Sequence, residues 1–196
     1  MTESAMPTQY YTASSLDGFI ATEDDSLEWL FPLVDVNTTS YPQFIAEVGA
    51  LAMGSATYEW MLRHVIKPAA GDGAPWPYTQ PTWVFSSRAI EPIDGVKIHA
   101  VRGDVCAVHA AMTEAAAAKN IWIVGGGDLV GQFYDAGLLD EIIVQIGSVT
   151  LGRGKPLLPR RIDGAKALRL TSVQQFGPGM AELRYEVSRP SLESAS

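Results

Sequence analysis

The chain has one cysteine, Cys106, so it holds no internal disulfide and no cluster of thiolates for a metal. Its histidines, His64, His99 and His109, lie far apart and form no HExxH pair. A His-x-Glu followed by Cys-x-x-Cys is also missing, which excludes zinc deaminase chemistry, and no metal is expected. Basic residues are scarce: 14 Lys and Arg stand against 22 Asp and Glu, a net charge of -8. Binding a nucleic-acid backbone needs a basic stripe, so no nucleic-acid partner is expected, although a few local donors suffice to hold one phosphorylated small molecule. No apolar run approaches the ~20 residues that span a bilayer. Residues 1–8 show no basic stretch leading into an apolar one, so no signal peptide is expected and the cytoplasm is the expected location. No GK[ST] occurs, because Gly152-Arg153-Gly154-Lys155 runs into Pro156, and a P-loop is excluded.

What is present is a core. At 47% hydrophobic over 196 residues the chain is too apolar to stay unfolded and long enough for one domain. Residues 9–189 are expected to form that domain, with 1–8 an extension and 190–196 a flexible tail. Strands are expected at 9–14, 50–53, 82–85, 96–101, 121–124 and 141–147, and after Asp17-Gly18 an apolar run resumes over 19–21. Helices are expected at 27–31 behind Ser26, through about Val48 behind Thr38, Thr39 or Ser40, and at 55–62, 105–119 and 129–135. Strands alternating with helices indicate a largely parallel α/β sheet. Residues 167–176 and 180–188 flank Gly177-Pro178-Gly179 and read as a terminal antiparallel hairpin.

Chemistry is expected where strands end. Ile123-Val124-Gly125-Gly126-Gly127-Asp128-Leu129 takes a buried strand through glycines into a helix, which lets a phosphate approach backbone N–H groups. A tight strand-to-helix turn explains the same residues. Met53-Gly54-Ser55-Ala56-Thr57 repeats the junction with two hydroxyls, and it reads equally as a helix cap. Phe85-Ser86-Ser87-Arg88 puts two hydroxyls and a guanidinium at one turn, suited to a terminal phosphate or simply solvated. In an open α/β sheet such ends gather on one edge, where ligands bind. Together the three favour a dinucleotide.

Taken in order, Ala13-Ser14-Ser15-Leu16-Asp17-Gly18-Phe19-Ile20-Ala21, Met53-Gly54-Ser55-Ala56-Thr57, Val84-Phe85-Ser86-Ser87-Arg88, Gly125-Gly126-Gly127, Leu138-Leu139-Asp140-Glu141 and Leu151-Gly152-Arg153-Gly154 resemble the dihydrofolate reductase-like superfamily. The set looks most like the reductase domain of bacterial riboflavin biosynthesis and its stand-alone relatives. The resemblance implies a mostly parallel eight-stranded central sheet flanked by helices, an antiparallel C-terminal hairpin and a homodimer. Trp83, Ile121 and Trp122 are apolar residues that such a partner would cover. It also implies NADPH as hydride donor. The pyrophosphate would lie between Gly54, Ser55 and Thr57 on one side and Gly125, Gly126, Gly127, Asp128 and Leu129 on the other. The adenosine 2′-phosphate would meet Ser86, Ser87 and Arg88, and the nicotinamide Ala13, Ile20 and Ala21.

Two departures matter. Ser55 stands where the family often has an arginine, so a preference for NADPH rests on Arg88, with Arg102 as a second cation. Residues 40–44 carry no carboxylate, which argues against folate reduction. By the resemblance Asp17 is the catalytic candidate, while its local alternative is to cap the Asp17-Gly18 turn. Trp29, Arg153 and Lys155 are the substrate candidates. The expected activity is reduction of a small heterocyclic, pyrimidine- or pteridine-like, or sugar-derived molecule. The alternative is a non-catalytic NADP(H)-binding protein that uses the same groove as a sensor or subunit. The long segment 64–80 carries Trp76, Pro77 and Tyr78 and is expected to close over the site as a flap, the alternative being that the aromatics plug the sheet's edge far from the cofactor.

Overall fold

Side chains alternate across a strand, and one strand decides the layering here. In β6 (Asn120–Gly125), Ile121 and Ile123 enter one buried cluster while Trp122 enters another on the opposite face. The computed structural model describes residues 6–69, 71–164 and 168–188. Among them β6 lies inside an eight-stranded sheet. On one side it pairs in parallel with β1 (Thr8–Ser15), and on the other with β3 (Val48–Gly54). Beyond β3 come β4 (Thr82–Phe85) and β5 (Ile98–Val101), both parallel. Beyond β1 come β7 (Glu141–Gly147), parallel, and β10 (Met180–Val187), antiparallel, with β9 (Leu168–Phe176) at the edge. The expected fold is therefore the observed one: a mostly parallel sheet closed by an antiparallel C-terminal hairpin. A two-stranded pair, β2 (Phe19–Ala21) with β8 (Lys155–Pro156), stands apart from this sheet.

Helices cover both faces. Helices α3 (Val105–Ala116) and α4 (Gly127–Asp135) bring Val105, Met112, Leu129, Val130 and Phe133 onto Tyr10, Ala50, Ala52, Ile121 and Ile123. On the other face, α1 (Tyr41–Ala46) and α2 (Ser55–Met61) bring Phe44 and Tyr58 onto Leu51, Met53, Trp122 and Val84. Full burial of each such side chain is worth about 1.5–3 kcal/mol, and these two layers carry the stability.

Several boundaries differ from the sequence reading. Residues 27–33 form two successive turns, with Leu30 N–H on Leu27 O and Leu33 N–H on Leu30 O, instead of a helix. Pro32 disfavours the helical conformation before it, and Trp29 and Leu33 are drawn onto Gly147. Helix α1 stops at Ala46 because Val48 is already paired to Asn120. Helix α3 stops at Ala116, where Ala117 and Ala118 turn left-handed. Helix α4 starts at Gly127, so Asp128 and Leu129 lie inside its first turn. Strand β1 takes in Thr8 from the expected extension. Ala167, Arg189 and the expected tail 190–196 lie outside the described residues.

Trp76 and Tyr78 pack onto α2 and an inner strand of the sheet rather than onto the sheet's edge. Trp76 packs 5.8 Å from Tyr58, and Tyr78 packs edge-on 5.6 Å from Trp122. Trp83, Ile121 and Trp122 are 5%, 1% and 4% exposed, covered by the chain itself with no need of a partner.

Close approach of α3 to the sheet depends on Gly49. A Cβ there would stand 2.2 Å from the Ala116 carbonyl oxygen. Gly49→Ala is expected to cost about 1–3 kcal/mol as overpacking. Urea unfolding checks it: the midpoint falls while the slope stays unchanged.

Candidate functional site

The parallel strands end level. Gly54 pairs with Phe85, Phe85 with Val101, and Met53 with Gly125. The residues that follow, Ser55, Ser86, Arg102 and Gly126, therefore meet on one edge. A cavity of about 370 Å³ opens there, lined by Ser55, Phe85, Ser86, Ser87, Arg102, Gly103 and Gln132. Its polar lining is three hydroxyls, one guanidinium and one amide. The sequence reading missed Gly103 and Gln132. The end of β5 was the signal for Gly103, since every parallel strand delivers its next residues to the same edge.

The glycines of the Gly125–Gly127 turn differ in what surrounds them. A Cβ on Gly126 would meet nothing within 4 Å, so this backbone is open to a ligand. At Gly125 the nearest group would be Thr57 Oγ1 at 3.4 Å, which brings the two glycine-bearing junctions together, and a Cβ on Gly54 would stand 3.9 Å from Gly125 O. Gly127 is a packing residue: its Cβ would stand 2.3 Å from Pro156 O. The Leu129 side chain is in the core. The Asp128 carboxyl is held below the usual carboxylate range, first by the Gln132 amide and then by the Arg160 guanidinium, at 3.0 and 3.1 Å.

Arg88 is turned to a different partner. Its guanidinium pairs with Glu59 at 2.8 Å, and Ser86 Oγ closes a local turn by accepting from Arg88 N–H at 3.0 Å and donating to Arg88 O at 2.8 Å. Arg102, not Arg88, lines the cavity, and it has no ion pair among the described residues.

Beyond the end of β1 lies the other part of the site. Asp17 is exposed, and its carboxylate accepts from the Ser15 hydroxyl at 2.6 Å, from Leu151 N–H at 3.1 Å and from Gly152 N–H at 2.7 Å. These donors, the Ser15 hydroxyl foremost, hold its carboxyl below the usual range, so it is ionised at neutral pH. Asp17 thereby ties the turn after β1 to the loop that carries Arg153 and Lys155. Arg153 reaches Glu23 at 3.8 Å and Lys155 reaches Asp25 at 3.5 Å, both at the surface. Ala13 is half-buried on β1, and Ile20 and Ala21 sit in β2, which packs beside it. The Trp29 ring lies over Gly147, with Cζ3 3.1 Å from where a Cβ would stand, and its Nε1 is buried without a partner.

A buried polar cluster was not seen in the sequence: Ser40, Gln145 and Glu182, at 9%, 5% and 1% exposure. Glu182 brings a carboxylate beside the start of α1, where the helix's own sequence has none, and donates this charge from a strand 142 residues away. Among the described residues no group of three or more His, Cys, Asp or Glu forms a metal site, and no helix is long and apolar enough to cross a membrane.

A model of the RibD C-terminal domain family matches residues 76–181. The uncharacterized protein YwjB of Bacillus subtilis (strain 168) is 31% identical over 178 residues, which is 91% of this chain and 96% of YwjB. A Shewanella sp. PV-4 structure, provisionally described as a riboflavin biosynthesis protein, superposes with a TM-score of 0.77 at 24% identity, covering 94% of this chain and all of the other. The dihydrofolate reductase of Enterococcus faecalis, solved complexed with NADP(H), gives 0.60 at 19% identity, covering 94% of this chain and 97% of that one. With a family model over more than half its length and a 31% identical relative along nearly all of it, the chain belongs to the RibD C-terminal domain family.

Proposed function

We propose that the protein is an NADPH-dependent reductase that adds a hydride and a proton to a C=O or C=N bond of a small heterocyclic or sugar-derived molecule. The observation that carries this reading is the edge cavity, where Ser55, Ser86, Ser87 and Arg102 converge beside the open backbone of Gly126. Hydroxyls and a guanidinium around a roomy cleft suit a phosphate on a ribose, and an open glycine backbone suits a pyrophosphate. A protein of the same fold is solved with NADP(H), which supports the choice of cofactor.

In this reading Arg102 and the serines hold the 2′-phosphate, Gly125 and Gly126 lie against the pyrophosphate, and Ala13 is the floor for the nicotinamide. Bound there, NADPH would supply the hydride. Asp17 is a positioning group, since its lone pairs are occupied by the loop at 151–152. That loop presents Arg153 and Lys155. Their exposed pairs with Glu23 and Asp25 are each worth no more than about 1 kcal/mol, so an anionic substrate group displaces them at little cost.

We further propose that the protein pairs as a homodimer through β9. This strand is one of the sheet's two edges, and Leu170 and Val173 on it are 51% and 64% exposed. Light scattering is expected to give twice 21.1 kDa, and Val173→Glu to return the mass to that of one chain.

Cofactor placement is tested by Gly126→Val. The open surroundings of Gly126 leave room for the side chain, so the melting temperature is expected to hold while NADPH binding, read by fluorescence, is lost; undiminished affinity overturns the placement. Arg102→Ala is expected to weaken NADPH about 10- to 150-fold, the loss of one charge-assisted hydrogen bond, and to leave NADH unchanged. Arg88→Ala is expected to do less, its charge being shared with Glu59.

Asp17→Asn is expected to speed hydrogen exchange at Leu151 and Gly152 and to lower turnover, while NADPH affinity is kept. In the native chain the clamp holds above the ordinary carboxyl value of 3.8 and weakens only as pH falls below it, because folding lowers the carboxyl's pKa. NADPH oxidation against pteridines, pyrimidines and flavins tests the activity itself. Tight NADPH binding with no turnover on any of them favours the sensor or subunit alternative.

A further inference from the structure

The turn after β4 and the start of α2 meet at the edge cavity, which Ser86 and Ser87 line from one and Ser55 from the other. Residues four apart on a helix share a face, so Glu59 stands one turn beyond Ser55 on the same side of α2. Its carboxylate accepts from the Arg88 guanidinium at 2.8 Å, and Arg88 directly follows the lining residue Ser87. This ion pair therefore connects the two walls of the cavity. Both partners are open to water, with side chains 70% exposed for Arg88 and 39% for Glu59. The backbone of Arg88 is fixed all the same, because the Ser86 hydroxyl accepts from Arg88 N–H and donates to Arg88 O. The guanidinium is thus free to turn about an anchored main chain.

The pair is not needed to hold the loop that carries Arg88. The Tyr58 hydroxyl donates to Glu91 O, and Lys67 pairs with the Glu91 carboxylate, so the loop is tied twice to α2 and the residues just beyond it without Glu59. At this edge the two guanidiniums are treated differently. Arg102, which β5 delivers to the cavity, has no ion pair among the described residues, while Arg88 is held by a carboxylate. The first turn of α2 carries no acid, so Glu59 is the first negative charge along that helix. A phosphate monoester brings a charge of about −1.5 to −2, more than Arg102 alone neutralises.

We propose that Glu59 competes with the ligand for Arg88: a phosphate monoester seated beside Arg102 takes the Arg88 guanidinium from Glu59, and the carboxylate takes it back as the phosphate leaves. This rests on the reading of the edge cavity as a phosphate site. Glu59 is then a positioning residue for Arg88, and it acts on affinity without touching the ligand. The exchange replaces one charge-assisted hydrogen bond with another, so Arg88 adds little to affinity in the native protein. Affinity is held below what the two guanidiniums would give together, and release is eased by the same amount. Because the pair is exposed, the effect is a few-fold and no more.

The test titrates the full-length protein with NADPH, with adenosine 2′-monophosphate and with adenosine, which has no phosphate. Glu59→Gln, which keeps the shape of the side chain, is expected to tighten the first two about 2- to 5-fold, the worth of an exposed pair, and to leave adenosine unchanged. Arg88→Ala is expected to weaken them more in the Glu59→Gln background than in the native one, and the protein carrying both substitutions to show no gain from Glu59→Gln. The native protein labelled with ¹⁵N gives a reading that needs no substitution: the Arg88 Nε–H signal is expected to shift with adenosine 2′-monophosphate and not with adenosine. No gain from Glu59→Gln, or an unmoved Arg88 signal, overturns the proposal. So does a gain that persists with Arg88→Ala, since that gain comes from the removed negative charge alone. If NADPH does not bind while adenosine 2′-monophosphate shows the coupling, the cofactor reading falls and this one stands; if neither binds, both fall.

Discussion

Strand β6 must satisfy two neighbours at once, and the edge that carries the cavity depends on how it does so. Against β1 its register is regular from Ile121 to Ile123. Against β3 the register slips by one residue, so Ala52 faces Ile123 while Met53 faces Gly125. Val124 is the extra residue, and such an irregularity re-aims the chain that follows it. The glycine turn leaves the sheet there, beside Thr57 and the start of α2. A regular pairing would carry Val124 opposite Met53 and move the turn along the edge.

Charge is sorted to match. In a chain of net charge -8, most cations are already committed to acids. Arg160 is held by Asp128 and Asp135 and fixes the beginning and end of α4. Arg88 is held by Glu59, and Arg184 by the buried Glu182. Arg102, which has no ion pair among the described residues, stands beside the hydroxyls of the edge cavity.

The sheet was legible because its signals are local. Apolar runs bounded by glycine and polar residues marked β4 and β7 to the residue, and the Gly177-Pro178-Gly179 turn marked the hairpin. The edge itself was legible from the rule that parallel strands end together. What failed were boundaries set by distant partners. Ser26 does accept a hydrogen bond from Glu28 N–H, as a cap would, but Pro32 and the pull of Gly147 on Trp29 and Leu33 prevent a helix. The cluster around Glu182 was hidden for the same reason. A lone glutamate in a hairpin strand reads as surface, and only the pairing of β10 with β7 brings it to Gln145 and Ser40. Arg88 illustrates the reverse case: its motif was visible, but the nearness of Glu59 was not.

The segment from Leu151 to Leu157 touches more of the molecule than its length suggests. Asp17 holds its first amides, Gly18 O accepts from Leu157 N–H at 2.9 Å, Gly154 sits against Ala21 O, and Pro156 O lies beneath Gly127. It therefore bridges the turn after β1 and the start of α4. Any ligand that stiffens this bridge from one side leaves less ordering to be done by a ligand on the other. The two affinities are then linked, and linkage is reciprocal: whatever factor the first ligand adds to the second, the second adds to the first.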